Sequence, residues 1–146
     1  MTTKREPRDR WPGRLAALAA HIPPGSRVLD AGCGAQGLQV LLPPGCSYVG
    51  VDVEDLDLDR QAWPRGFDVV VAAGLLEYLA HPYHALRQML KAAPVSLFSY
   101  AHKLRTVPDR PVHLEPRRLH RLVSHAGGRL EPLGRWQKQT LYRMVR

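Results

Sequence analysis

Gly32, Gly34 and Gly37 form a GxGxxG pattern directly behind the apolar pair Val28 and Leu29, and Leu38 to Leu42 follow before Pro43 and Pro44. This predicts a strand, a glycine loop and a short helix, because the glycines allow a tight turn, close ligand approach and close helix packing. The next strand, Ser47 to Val53, is rich in β-branched and aromatic residues and carries Asp52, 20 residues after Gly32. A carboxylate at that spacing accepts hydrogen bonds from ribose hydroxyls. The unit therefore predicts a nucleoside-containing ligand.

The rest of the chain alternates in the same way. Arg14 to His21 predicts a helix ended by Pro23, Pro24 and Gly25. Residues 54–66 are acidic with little apolar periodicity, and Phe67 to Ala73 is a hydrophobic run typical of a sheet covered on both faces. Ala85, Leu86, Met89 and Leu90 give Pro82 to Ala92 a helical spacing, and Val95 to Ala101 predicts another strand. His102 to His113 is a loop containing Pro and Arg. Leu114 to His125 carries a helical stripe of Leu119, Leu122 and Val123, with Pro116 near its start and Gly127 and Gly128 as its stop. Arg129 to Trp136 and Gln139 to Val145 have no helix between them and predict an antiparallel hairpin. Alternating strands and helices make an α/β layered sheet. With 146 residues the chain fits one domain, placed at residues 14–146 behind a tail at 1–13.

Composition narrows the class. The longest apolar runs fall far short of the roughly 20 residues of a membrane span. MTTKREPRDRWPG lacks the apolar core of a secretory signal, so a cytoplasmic location is expected. Cys33 and Cys46 show no spacing suited to zinc, and no metal is expected. Residues 1–100 carry 10 Lys/Arg against 10 Asp/Glu, and residues 101–146 carry 11 against 3, so the net charge of +8 lies in the last third. That third reads as a solubilising face or as a surface for an anionic partner.

The nucleoside is open between nicotinamide or flavin dinucleotides and S-adenosylmethionine (SAM), and Asp30 decides. A dinucleotide places its pyrophosphate at this loop, where a carboxylate would repel it. SAM brings a sulfonium and an α-ammonium, which a carboxylate at the strand tip favours.

These segments resemble those of a known family. VLDAGCGAQG at 28–37 resembles the first motif of class I SAM-dependent methyltransferases, and YVGVDV at 48–53 resembles the strand with their ribose-binding acid. FDVVVAAGLLEYLAHP at 67–82 is similar to the family's fourth strand and following turn, and HLEPRRLHRLVSHAGG is similar to its late helix. The resemblance spans roughly residues 26–146. It implies a Rossmann-like three-layer sandwich with a mostly parallel sheet and a C-terminal antiparallel hairpin, shortened between strands 2 and 4. It also implies that Asp30, Ala31, Gly32, Gly34 and Gly37 line the methionine side, that Asp52 binds ribose, and that Val53 packs on adenine. Ala73 and Gly74 would face the sulfonium region. Only 14 residues separate Val53 from Asp68, where the family fits a helix, a strand and an adenine-reading acid. Asp55, Asp57 and Asp59 are candidates for that acid, with Asp57 preferred.

Methyl transfer needs an aligned acceptor and, for some acceptors, a base. His102 and His113 come first because imidazole titrates near neutrality, followed by Tyr78 and Tyr100. GLLEYL stands where amino-group nucleic-acid methyltransferases carry an NPPY-like segment. This favours a small molecule, a sugar or a carrier-bound intermediate as acceptor, without excluding RNA ribose or protein. A non-catalytic partner subunit of the same fold and an NAD(P)-binding oxidoreductase are the alternatives. A homodimer is a further option for completing the site.

Overall fold

A computed structural model describes residues 10–102 and 113–146. Its centre is one six-stranded sheet built from β1 (Arg27–Ala31), β2 (Ser47–Val51), β3 (Val69–Ala72), β4 (Val95–Tyr100), β5 (Arg129–Trp136) and β6 (Gln139–Val145). The strand order is β2-β1-β3-β4-β6-β5. Pairings among β2, β1, β3 and β4 are parallel, and β6 pairs antiparallel with both β4 and β5. The expected parallel sheet with a C-terminal hairpin is therefore present.

Alternation along each strand sends side chains into two cores. Leu29, Val70, Phe98 and Met144 face α2 (Pro82–Ala92) and α3 (Pro116–Ala126), meeting Leu86, Met89, Leu119 and Val123. Val28, Val69, Val71 and Leu97 face the other way, toward Leu18 of α1 (Arg10–Ala19) and Leu38. Helices lie on both faces, which makes the three layers. Both faces of β3 are buried, as its unbroken Val-Val-Val-Ala run requires. No helix among the described residues is long and apolar enough to cross a membrane.

Three local expectations change. α1 starts at Arg10, so the boundary expected between residues 13 and 14 falls inside a helix. Pro12 is tolerated because first-turn N–H groups have no helical partner to lose. Gly13 gives a close approach: a Cβ there would lie 2.9 Å from Nε1 of the Trp136 indole. Leu38 to Leu42 forms a single 3-10 turn, Gln39–Leu41, since the segment before Pro43 is too short to repay α-helix nucleation. β2 stops at Val51, because the backbone turns at Asp52, whose carbonyl accepts from the N–H groups of Asp55 and Leu56 at 2.8 and 3.0 Å.

The shortened middle also acquires a structure that periodicity did not reveal. Among the described residues no strand lies beyond β2, and residues 54–66 run as a loop anchored in the α2-side core by buried Leu58 and Trp63. The Trp63 indole N–H donates to the Leu58 carbonyl at 3.1 Å, and its backbone N–H donates to Gln88 Oε1 at 3.0 Å.

Candidate functional site

β1 and β3 are neighbours and both run toward the same edge, so the glycine loop and the turn after β3 emerge side by side. Gly32 and Gly34 take left-handed φ values of 74° and 53°, which a side chain would strain. Behind Gly32 lies Leu75 of the β3 turn; a Cβ on Gly32 would sit 3.0 Å from its Cδ1. Gly37 instead allows α1 to approach, since its Cβ would meet Leu15 at 3.2 Å. The loop is tied to β2 by Gly32 and Cys33 N–H groups donating to the Val51 carbonyl at 2.8 and 3.1 Å.

Asp52 completes this tie. Its Oδ2 accepts from the Gly34 N–H at 2.7 Å and its Oδ1 from the Val53 N–H at 2.8 Å. Each oxygen keeps a further lone pair for an outside donor. The Gly34 N–H, by contrast, is already committed to a carboxylate rather than presented to a phosphate. The Asp55 carboxylate accepts from the Asp52 N–H at 3.0 Å and so fixes the turn under the site.

Asp30, the penultimate residue of β1, lies on the α1 side and is 3% exposed. Tyr48 reaches across from β2 and donates its hydroxyl to Asp30 Oδ2 at 2.7 Å. Gly50 makes the room: a Cβ there would lie 2.8 Å from the Tyr48 oxygen. Burial raises the Asp30 carboxyl to about 6, the Tyr48 bond opposes that rise, and the Asp52 charge adds to it. A cation placed between the two carboxylates would relieve both the burial and the repulsion. Cys33, facing Asp30, Asp52 and Asp55, is pushed up to about 11, chiefly by burial, and is a thiol rather than a nucleophile at neutral pH. Two carboxylates, no free loop N–H at Gly34 and glycines without Cβ fit a cationic nucleoside such as SAM, and not a pyrophosphate.

At the tip of β3, the Gly74 N–H donates to the Ser99 hydroxyl at 2.9 Å. Arg14, which sequence reading passed over, lies there: a Cβ on Gly74 would come within 2.6 Å of its Nη1, and that nitrogen also donates to Gln139 Oε1 at 3.2 Å. Arg14 as a whole is 8% exposed. Its signal was an arginine four residues from buried Leu18 on one helix face. Glu77 was missed too; it is buried in the turn after β3 and its Oε2 accepts from the Ala101 N–H at 2.8 Å.

The remaining expected residues separate into groups. Ala31 points into the core, so it offers the site only backbone, while Val53 is 68% exposed beside Asp52. Ala73 packs against the α1-side core. Asp57 accepts from the Asp59 N–H at 3.1 Å and shapes its own loop, and Asp59 accepts from the Ala80 and His81 N–H groups at 3.1 and 2.8 Å. Of the three loop acids, Asp55 is the one bonded to the site.

Tyr78 ends the 3-10 turn Leu76–Tyr78 after β3 and is 52% exposed. Tyr100 is fully buried and accepts from the Leu114 N–H at 3.1 Å. That makes it an anchor for the entry to α3, out of reach of a substrate in this conformation. The His102 ring spans two partners, the Leu114 carbonyl at Nδ1 (2.8 Å) and the Tyr142 hydroxyl at Nε2 (2.7 Å). Since a carbonyl only accepts, Nδ1 carries the proton, and in the neutral ring Nε2 accepts from Tyr142. The Tyr142 hydroxyl titrates above its ordinary value because of burial. His113 has a buried Nδ1 with no hydrogen-bond partner among the described residues. Tyr100, His102 and Tyr142 thus form one cluster beside the β4 tip.

Comparison with known proteins agrees with this fold. Residues 3–136 match the family described as methyltransferase domain. A curated tRNA (carboxymethyluridine(34)-5-O)-methyltransferase of Arabidopsis thaliana is 38% identical over 63 residues, covering 43% of this chain and 15% of the relative. The chain therefore spans a small part of that relative. Among solved structures, a TehB-like SAM-dependent methyltransferase from Corynebacterium glutamicum superposes with a TM-score of 0.74 at 18% identity, covering 92% of this chain and 87% of the other. A Haloferax volcanii methyltransferase in complex with the Trm112 methyltransferase activator gives 0.76 at 16% identity, covering 94% and 90%. A SAM-dependent methyltransferase from Aquifex aeolicus gives 0.70 at 15%, covering 98% and 96%.

Proposed function

The chain belongs to the methyltransferase-domain family and takes SAM as its cofactor, and from that premise we propose that it methylates an acceptor group carried on tRNA. The oxidoreductase alternative falls with the family assignment. The observation that carries the site reading is the Asp52 carboxylate, held by Gly34 at 2.7 Å beside the left-handed glycines. In this reading Asp52 accepts the ribose hydroxyls and Val53 packs against adenine, while Asp55 fixes the turn through the Asp52 N–H. Asp30, held by Tyr48, faces the cationic methionine end. Arg14 and Gly74 lie at the tip of β3, where a methionine carboxylate would find the guanidinium. SAM supplies a methyl already activated by positive sulfur; the residues here bind, orient and exclude water. His102, relayed through Tyr142, and His113 are the candidate bases, with Tyr78 as the exposed hydroxyl nearest the β3 tip in sequence.

The sequence favours a small molecule, a sugar or a carrier-bound intermediate and leaves RNA open; the Arabidopsis relative is what supports tRNA over these. The test is transfer of labelled methyl from SAM to a tRNA pool, set against sugars and small metabolites. Label in the tRNA supports the reading; label only in a small molecule reverses it. A second reading, that an activator subunit or a second copy completes the enzyme, is favoured by the edge position of β2 among the described residues, where Val49 is exposed. Native mass spectrometry with and without added activator separates the monomer, the homodimer and the hetero-complex.

A further inference from the structure

α3 carries Arg117, Arg118 and Arg121 on its exposed side, and no acidic residue lies between Pro116 and Ala126. Arg143 and Glu131 form an ion pair at 3.3 Å, whereas among the described residues these three arginines have neither an ion-pair nor a hydrogen-bond partner. Like charges four residues apart on one helix, as Arg117 and Arg121 are, repel.

Its position matters as much as its charge. The entry to α3 is pinned to the end of β4, through Leu114 N–H to Tyr100 and His102 Nδ1 to the Leu114 carbonyl. Arg117 and Arg118 therefore sit at the edge of the sheet where the glycine loop opens. A groove of about 600 Å³ runs between the starts of α2 and α3, with Arg60, His81 and His84 on one side and Arg118 and Leu122 on the other. Asp59 also lies in its wall, but both its oxygens are bonded to the Ala80 and His81 N–H groups. A single small anion needs cations converging on one point. Here Arg117 and Arg121 are spread over about 6 Å of helix axis at 1.5 Å per residue, which suits a chain of charges.

We propose that the exposed face of α3, from Arg117 and Arg118 to Arg121, together with the groove at Arg60, binds the phosphodiester backbone of the RNA acceptor. This rests on the tRNA reading above. The test is fluorescence anisotropy with a labelled tRNA transcript over a salt series. It compares the wild type, a triple variant Arg117→Gln, Arg118→Gln, Arg121→Gln, and a control triple Arg129→Gln, Arg135→Gln, Lys138→Gln on the hairpin. Removing three phosphate contacts is expected to lower the slope of log K against log salt by about two to three, with at least a tenfold weaker Kd near 0.1 M salt. The hairpin control should lose less than a third of that. Equal losses in both triples, or no tRNA binding by a wild type that binds S-adenosylhomocysteine, would overturn the surface. Thermal shift with S-adenosylhomocysteine in the same samples reports folding. A protein that binds tRNA through α3 and yet methylates only a free metabolite contradicts the acceptor reading instead.

Discussion

The hydroxyl of Tyr48 donates a 2.7 Å hydrogen bond to the buried carboxylate of Asp30, linking the second strand to the tip of the first. The bond holds Asp30 in the form that a sulfonium or ammonium recognises, against burial that favours the neutral acid.

The sign of the pH effect follows from that opposition. Asp30 is raised from 3.8 to about 6, so the folded protein holds a proton that the unfolded chain has released between those values. Stability therefore falls as pH rises from 4 to 6, by at most about 3 kcal/mol at 1.36 kcal/mol per pKa unit. Asp30→Asn should be more stable than wild type at pH 7.5, with the advantage gone at pH 4, in urea melts. The same variant should bind SAM at least tenfold more weakly.

Tyr48→Phe removes the bond that favours the charged form. SAM binding in the wild type should weaken as pH drops through about 6. In Tyr48→Phe that midpoint should move upward, as read by calorimetry at several pH values. An unmoved midpoint would assign Tyr48 a packing role only.

Gln36 is the non-glycine counterpart of Gly32 and Gly34, with φ 63° in the glycine loop. A side chain in that region costs roughly 1 kcal/mol. Gln36→Gly should therefore raise stability by up to about 1 kcal/mol, the reverse of the usual effect of glycine, whereas Gly32→Ala should lower it by about 1–3 kcal/mol through backbone strain and the Leu75 contact. Thermal melts of the two variants check both signs.

Trp63 holds the loop that replaces the absent third strand. Trp63→Ala should cost about 3–5 kcal/mol, the usual range for a buried Trp. Because Asp52 and Asp55 begin that loop, the cofactor affinity should fall with it, whereas Leu42→Ala on the opposite face should leave affinity unchanged once folding is restored. Chemical melts and binding on the same samples read the two effects separately.

Much of this architecture was legible because its causes are local. The apolar run at Val69–Ala72, the spacing of Leu86 and Met89, and the Gly127 stop after α3 each specify an element without reference to distant residues. Asp52 was legible by spacing from Gly32. Arg14, Glu77 and Tyr142 were not, since their meaning depends on what the sheet brings against them: Gly74, the Ala101 N–H and His102. The 3-10 turn at Gln39–Leu41 was overread as a helix because the composition of five residues cannot report the tight boundary set by Gln36 and Pro43. Leu58 and Trp63 escaped notice because a loop wrapped on a core has no period to detect.

The most direct measurement is calorimetric titration of the folded protein with S-adenosylhomocysteine, wild type against Asp52→Ala. Losing two hydrogen bonds to a charged acceptor at 1.5–3 kcal/mol each predicts a Kd at least about 100-fold weaker in the variant. Micromolar binding by the wild type with that loss is the expected result. Absence of binding by folded wild type at millimolar ligand, or unchanged affinity in Asp52→Ala, would contradict the site assigned here.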